Sequence, residues 1–272
     1  MMPKHCLPKL TRVCLVLLAI CGANSIQAAN LSLERRVSEG LDSPDLSGKA
    51  VWLEAGEARF LAIYAPSSAK LSLGGALILH DAGTHADWTE VIQPLRHHLS
   101  QQGWNTLSLQ LPAIESPPDP QSTLGLLEKA SPRIQAAIDY LDPEQQPTLV
   151  MVGHGLGATM ALHHATKQPN QRIRAIAAIG LSIDTENESS PASQAIAQLQ
   201  IPVLDLYGSR DLTAVTESAA KRRQIAFMNG REDYRQEQVN GANHFFSGLQ
   251  SSLSRRVHAW LRRSTADQTG KR

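Results

Sequence analysis

Apolar runs alternate with amphipathic segments through most of this chain, and this alternation constrains its fold more than any other feature. Runs such as GALIL, TLVMV and IRAIAAI resemble buried strands in length and composition, and each is followed by a segment with helical periodicity. Strands that alternate with helices form a mostly parallel sheet with helices on both of its faces. With 42% hydrophobic residues, the chain has enough apolar side chains for one large core. The sequence therefore predicts a single α/β domain over residues 73–263.

Residues 1–28 have the composition of a secretory signal peptide. Three basic residues precede an apolar run at residues 13–23, and small residues follow it up to Ala28 and Ala29. This run is too short to span a bilayer, so we expect cleavage after Ala28 and no stable membrane insertion of the mature protein. Cleavage after Ala29 and a retained membrane anchor are the alternatives. Cleavage of the signal peptide would leave the mature chain in the periplasm. All three cysteines precede the cleavage point, so the mature chain is expected to have no disulfide.

The segments that flank the α/β domain differ from it in pattern. Residues 29–72 form an N-terminal extension: an extended lead-in is followed by two β-prone runs around residues 55–57, which predict a hairpin. Residues 264–272 are polar and predict a flexible tail. Between two predicted strands, residues 184–200 hold only a loop and a short helix, so at most a minimal cap is expected. Pro132 is expected to interrupt the helix around it or to mark an irregular start.

The charge of the mature chain excludes several kinds of partner. The leader carries three of the 26 basic residues and none of the 25 acidic ones, which leaves a net charge near −2. Such a chain lacks the excess positive charge that would attract nucleic acids or anionic membranes. It has no phosphate loop and no dinucleotide fingerprint, so no cofactor is expected. No metal site is expected either, because the adjacent histidines of the pairs 97–98 and 163–164 point about 100° apart on a helix.

The stretch VMVGHGLGATM, residues 150–160, predicts a sharp turn between a strand and a helix. Aligned with the G-x-S-x-G motif of a nucleophile elbow, it places Gly153 and Gly157 at the two glycines of the motif. The nucleophile position then holds Gly155. Glycine tolerates the unusual backbone conformation of such a turn, but it has no side chain that attacks a substrate. The motif therefore predicts an elbow whose nucleophile position is vacant.

Two further loops follow predicted strands and carry an acid and a base. The stretch PVLDLYGSRD ends at Asp211, and VNGANHFF contains His244. The chain order elbow, acid, histidine is that of an α/β-hydrolase triad, so Asp211 and His244 are predicted to form a dyad. Ser182 and Ser247 lie near the same rim, but neither follows a strand-to-helix turn that would aim its hydroxyl at the histidine. A charge inside an apolar strand is costly, so Asp205 is predicted to be a structural carboxylate with a buried partner.

These motifs make the chain resemble the α/β-hydrolase superfamily over residues 73–261. Through HDAGTHADW, GWNTLSLQLP and the elbow without serine, it is similar to an exported branch of unknown function from Gram-negative bacteria. The resemblance implies an α/β-hydrolase fold with one oxyanion donor at the Leu156 N–H and a second in the loop of Asp81 and Ala82. Asp81 stands where glycine is common, and its charge would oppose a developing oxyanion. The resemblance also implies that His154 packs away from the site.

Function must be argued separately from the fold. The leading interpretation is an exported, hydrolase-like protein with glycine in place of the nucleophilic serine. It would be a non-catalytic binding or accessory protein of the cell envelope, with an unknown small molecule or an envelope protein as its partner. A second interpretation keeps it an enzyme, an atypical hydrolase, lyase or oxygenase, in which the dyad of Asp211 and His244 activates water or abstracts a proton. A third is an esterase whose serine is displaced. If the elbow forms, a serine introduced at position 155 is expected to lie within reach of His244.

Overall fold

The computed structural model describes residues 34–41, 46–112, 120–141, 146–187 and 189–269. The expected signal peptide, residues 1–28, lies outside these ranges, and export therefore stays a prediction. Within the described ranges, no helix combines the length and the apolar character that crossing a membrane requires.

One sheet of eight strands forms the centre of the described structure. In chain order the strands are β1 (Lys49–Ala55), β2 (Ala58–Ala65), β3 (Gly74–Leu79), β4 (Trp104–Leu109), β5 (Leu149–His154), β6 (Ile173–Ile179), β7 (Val203–Arg210) and β8 (Tyr234–Asn243). Across the sheet their order is β1-β2-β4-β3-β5-β6-β7-β8. β2 pairs antiparallel with both β1 and β4, and the other pairs are parallel. The expected hairpin is thus β1–β2, and the mostly parallel sheet confirms the predicted fold class.

Seven helices accompany the described strands. They are α1 (residues 34–41), α2 (Ile92–Gln101), α3 (Pro120–Tyr140), α4 (Leu156–Lys167), α5 (Pro191–Gln198), α6 (Thr213–Met228) and α7 (Gln250–Thr269). Successive side chains of a strand point to opposite faces of the sheet. Leu77 and Leu79 of β3 accordingly pack in the layer of α3, α4 and α5, whereas Ala76 and Ile78 pack with α2 and α7. Both faces of the sheet are therefore covered by helices, as predicted.

The extension before the hairpin differs from its prediction. Residues 34–41 form a helix, α1, and not an extended lead-in. Its Glu34 accepts from Arg133 of α3 at 2.6 Å, and both side chains are nearly buried. This ion pair joins two segments that are 99 residues apart in the sequence, so the residue pattern of the extension alone does not predict the contact.

Two helices are more continuous than the sequence predicts. α3 passes through Pro132 without a break, and its core residues Leu127 and Ile134 are buried on either side of the proline. α7 extends to Thr269, so helical structure enters the segment 264–272 for which a flexible tail is predicted. Between β6 and β7 the described chain contains only a loop and α5, which agrees with a minimal cap.

Candidate functional site

The predicted elbow is a sharp turn between β5 and α4. β5 ends at His154 and α4 begins at Leu156, while Gly155 between them has φ 53° and ψ −118°. Such a positive φ is strained for residues that carry a Cβ, so glycine suits this position. A Cβ at Gly157 would lie within 2.5 Å of the Leu79 carbonyl oxygen, so this glycine allows α4 to approach β3 closely.

The carboxylate of Asp81 occupies the space that a nucleophile would fill. Asp81 lies just beyond the carboxyl end of β3, which neighbours β5 in the sheet. A Cβ added to Gly155 would lie within 2.5 Å of Asp81 Oδ2 and closer still to Oδ1 and Cγ, whereas real Cβ atoms essentially never come within 3.0 Å of such atoms. The Leu156 N–H, the expected oxyanion donor, donates to Asp81 Oδ1 at 2.6 Å. One carboxylate therefore fills both the nucleophile position and the oxyanion position.

His244 lies between two carboxylates. Its Nδ1 is 2.6 Å from Asp211 Oδ1, and its Nε2 is 2.9 Å from Asp81 Oδ2. Asp211 is held in turn by the N–H groups of Gly208 and Leu212, at 3.1 and 2.8 Å. The side chains of Asp211 and His244 are 0% and 6% exposed, so water screens their interaction little. The structure thus brings together an Asp81–His244–Asp211 triad in which a carboxylate takes the place of the serine.

The two carboxylates stabilise the protonated form of the histidine. Burial disfavours the imidazolium, but the hydrogen bonds and charges of Asp211 and Asp81 outweigh it and raise the pKa of His244 to about 9. Burial likewise opposes ionisation of Asp81 and Asp211, yet their hydrogen bonds to His244 keep the pKa of each carboxyl below its usual range. Near neutral pH the triad therefore contains a cation between two anions.

His80 holds the backbone of Asp81 in place. Its Nδ1 lies 2.8 Å from the Asp81 carbonyl oxygen, and its Nε2 accepts the Leu111 N–H at 3.0 Å. Because Nε2 accepts, Nδ1 carries the proton and donates to the carbonyl. Burial lowers the pKa of His80 to about 4, so this neutral tautomer persists near pH 7. The Thr84 hydroxyl donates to the same carbonyl oxygen at 2.9 Å.

His154 lies beside the triad as a second histidine, so the expectation that it packs away from the site is wrong. Its ring centroid lies 4.5 Å from that of His244, and its Nε2 is 3.0 Å from the His244 carbonyl oxygen. Its Nδ1 is buried and has no hydrogen-bond partner. Burial lowers the pKa of His154 to about 4, so the ring is neutral at pH 7. Among the described residues, Asp81, His154 and His244 form a group whose ligand atoms all lie within 4.8 Å, close enough to hold a metal ion.

The structure places the predicted site residues as follows. Four of the predicted site residues converge, namely Gly155, Leu156, Asp211 and His244. The Asp81 loop does not supply the expected oxyanion donor, because the Asp81 carboxylate fills the position that an oxyanion would occupy. Ala82 continues the same turn and is half-buried. A serine at position 155 would overlap the Asp81 carboxylate, so its hydroxyl reaches the histidine only if that carboxylate moves, and the expectation stays a prediction. The sequence signal was a reciprocal one: aspartate where glycine is common, and glycine where serine is common.

Three other candidates lie outside the triad. Asp205 is fully buried in an ion pair with Arg222 at 2.7 Å and accepts from the Tyr234 hydroxyl at 2.6 Å, so it has the buried partner that the sequence predicts. Ser182 is exposed, and the Ser247 hydroxyl donates to Glu90 at 2.6 Å.

Solved structures similar to this one are α/β hydrolases. Est1E from Butyrivibrio proteoclasticus superimposes with a TM-score of 0.63 and 15% identity over 81% of this chain and 100% of its own. Dienelactone hydrolase from Anabaena variabilis superimposes with a TM-score of 0.61 and 19% identity, over 79% of this chain and 96% of its own. XC6422 from Xanthomonas campestris is described as a serine hydrolase without lid. It superimposes with a TM-score of 0.59 and 15% identity, over 79% of this chain and 94% of its own. At these identities the likeness concerns the fold alone.

A family model provides the assignment by sequence. The family described as "Protein of unknown function (DUF3530)" matches residues 26–127 and 115–263, which is most of the chain. No curated protein matches the sequence. The chain therefore belongs to the DUF3530 family, a branch of unknown function with the fold of the α/β-hydrolase superfamily.

Proposed function

We propose that this protein is an exported, pseudo-hydrolase-like protein of the cell envelope that binds a small molecule or a partner protein and does not hydrolyse esters through a serine. The observation that carries the proposal is the position of Asp81. Its carboxylate lies where the hydroxyl of a serine would attack and accepts the N–H that would bind the oxyanion.

Serine-type acyl transfer requires a hydroxyl on the elbow, a histidine that accepts its proton and a free oxyanion donor. Position 155 offers no hydroxyl, and the Leu156 N–H is already bonded to Asp81. A carbonyl substrate would also bring its developing negative charge against an ionised carboxylate, which raises the barrier instead of lowering it. The geometry therefore favours binding over ester hydrolysis.

The alternative of a dyad enzyme receives less support from the same contacts. A general base needs an uncommitted lone pair within hydrogen-bond reach of the proton that it removes. In His244, Nδ1 is bonded to Asp211 and Nε2 to Asp81. A substrate would first have to displace Asp81 from His244, and only then would this histidine act on water or on a C–H bond.

The ligand or partner would meet a site with little accessible charge. The Asp81 side chain is 15% exposed and that of His244 is 6% exposed, so only a small part of the triad is accessible to a ligand. The predicted signal peptide supports a periplasmic location, where the protein would act as a binding or accessory protein.

A serine-directed probe tests this proposal. Purified mature protein is incubated with a fluorophosphonate and analysed by intact mass, and turnover of short p-nitrophenyl esters is measured in parallel. We expect no adduct and no turnover above that of a His244→Ala control, because labelling requires an activated hydroxyl beside a base. A stoichiometric adduct on any serine would refute the proposal and would identify the displaced nucleophile. Fractionation of expressing cells tests export separately.

A further inference from the structure

Two histidines and one carboxylate converge at the carboxyl edge of the sheet from three separate elements. Asp81 follows β3, His154 ends β5, and His244 follows β8. Their ligand atoms lie within 4.8 Å of one another, and His154 and His244 are 1% and 5% exposed. Two imidazoles and a carboxylate form a donor set typical of transition-metal sites.

The remaining polar atoms of the three side chains are already occupied by protein groups. His244 Nδ1 is bonded to the Asp211 carboxylate, and His154 Nε2 lies 3.0 Å from the His244 carbonyl oxygen. Asp81 Oδ1 accepts the Leu156 N–H. Metal-ligating histidines almost always donate their second ring N–H to a carboxylate or a backbone carbonyl, and this bond selects the tautomer. Both histidines of this group have such a partner.

This arrangement leaves one ligand atom on each side chain. They are His244 Nε2, Asp81 Oδ2 and His154 Nδ1, and the last of these is buried without a hydrogen-bond partner. Several buried polar atoms of the described residues have no hydrogen-bond partner, and His154 Nδ1 is the one that belongs to this group. A bound cation would give this atom a partner, because a neutral imidazole nitrogen has a lone pair to offer.

We propose that the protein binds one divalent transition-metal ion of the zinc class through His244 Nε2, His154 Nδ1 and Asp81 Oδ2. Ligand atoms about 2.0–2.1 Å from a tetrahedral ion lie roughly 3.3 Å apart. Asp81 Oδ2 and His244 Nε2 are 2.9 Å apart, so this pair opens by a few tenths of an ångström. The proton between them passes to solvent, and the ion takes its place.

The donor set and the charge of the site favour this class of ion over others. Imidazole nitrogens suit Zn²⁺, Co²⁺, Ni²⁺ and Cu²⁺, whereas Mg²⁺ and Ca²⁺ require oxygen ligands. Asp81 and Asp211 supply two negative charges that balance a divalent ion once His244 is neutral. Three protein ligands leave one position of a tetrahedral ion open for water or for a group of a bound ligand. The inference deepens the proposed binding function, since it names a ligand class at the same site.

Metal titration of untagged mature protein tests the inference. Zn²⁺ is titrated calorimetrically and Co²⁺ by visible absorption, with His154→Gln as the test variant and His98→Gln as the matched control. His98 lies near His258, with ring centroids 5.9 Å apart, so this variant tests whether a histidine pair outside the cluster binds the metal. We expect 1:1 binding that weakens at least tenfold in His154→Gln and is unchanged in His98→Gln. Asp211→Asn should weaken binding about 10–100-fold, because it removes the partner that orients His244.

X-ray absorption of the zinc-loaded native protein gives a readout that needs no variant. We expect a four-coordinate ion with two imidazole ligands and one carboxylate. A flat titration at millimolar Zn²⁺, binding that His98→Gln abolishes, or a spectrum of a hydrated ion would overturn the inference. None of these results changes the expected lack of reaction with fluorophosphonate. The metal titration can therefore refute the metal site without refuting the proposed function, and the fluorophosphonate assay can refute the proposed function without refuting the metal site.

Discussion

Restoring a serine at the elbow should require two substitutions, because Asp81 occupies the space of the missing side chain. In Gly155→Ser, the new Cβ would overlap the carboxylate and displace it. Displacement breaks the bonds to the Leu156 N–H at 2.6 Å and to His244 Nε2 at 2.9 Å. Bonds to charged groups contribute about 1.5–3 kcal/mol each. The positive φ at position 155 adds about 1–3 kcal/mol for a residue with a Cβ.

These terms predict strong coupling between positions 81 and 155. In the native background, the serine should lower the free energy of unfolding by about 4–9 kcal/mol, a large share of the about 5–15 kcal/mol typical of a domain. In the background of Asp81→Ala the overlap is gone, and only the turn strain of about 1–3 kcal/mol remains. Urea unfolding of the native protein, both single variants and the double variant measures the difference. Effects that add within about 0.5 kcal/mol would refute the steric reasoning.

The same four proteins test the chemistry of the restored triad. Only the double variant Asp81→Ala/Gly155→Ser should form a fluorophosphonate adduct, because it places a hydroxyl beside His244 and frees the Leu156 N–H for the oxyanion. Adding His244→Ala should abolish the adduct, since the serine then lacks its base. A folded double variant that stays inert to the probe, or a single Gly155→Ser that labels equally fast, would contradict the geometry.

Three further predictions concern stability and export. Arg222→Met should lower the free energy of unfolding by about 3–5 kcal/mol in urea melts, because Asp205 keeps a buried charge without its ion-pair partner. Burial lowers the pKa of His164 to about 4 from 6.5, so the unfolded state binds its proton first as pH falls. Stability present above pH 6.5 should therefore decline towards pH 4, by about 2 kcal/mol at pH 5 for this group, and His164→Gln should remove that share. N-terminal sequencing of protein from the periplasmic fraction should start at residue 29 or 30, and reducing agent should leave its Tm unchanged, whereas an intact Met1 would contradict export.

The class of the fold could be read from the chain because its signals are local. Apolar runs, helical periodicity and glycines each act within a few residues, so the alternation predicted the parallel sheet and its two helical layers. The elbow at Gly155 was equally visible, since a sharp turn constrains its own residues. Asp211 and His244 could be paired from their order after successive strands, because parallel strands end at one edge of the sheet.

What Asp81 does was decided by the tertiary structure alone. Its partners Leu156 and His244 are 75 and 163 residues away in the sequence, and no periodicity connects residues at such distances. Helix α1 depends in the same way on Arg133, 99 residues from Glu34. Whether a carboxylate lines a site or fills it depends on contacts a few ångströms long between distant segments. The pairing of β3 with β5 brings Asp81 to Gly155, so the Asp81 carboxylate occupies the nucleophile position that the sequence alone shows as vacant.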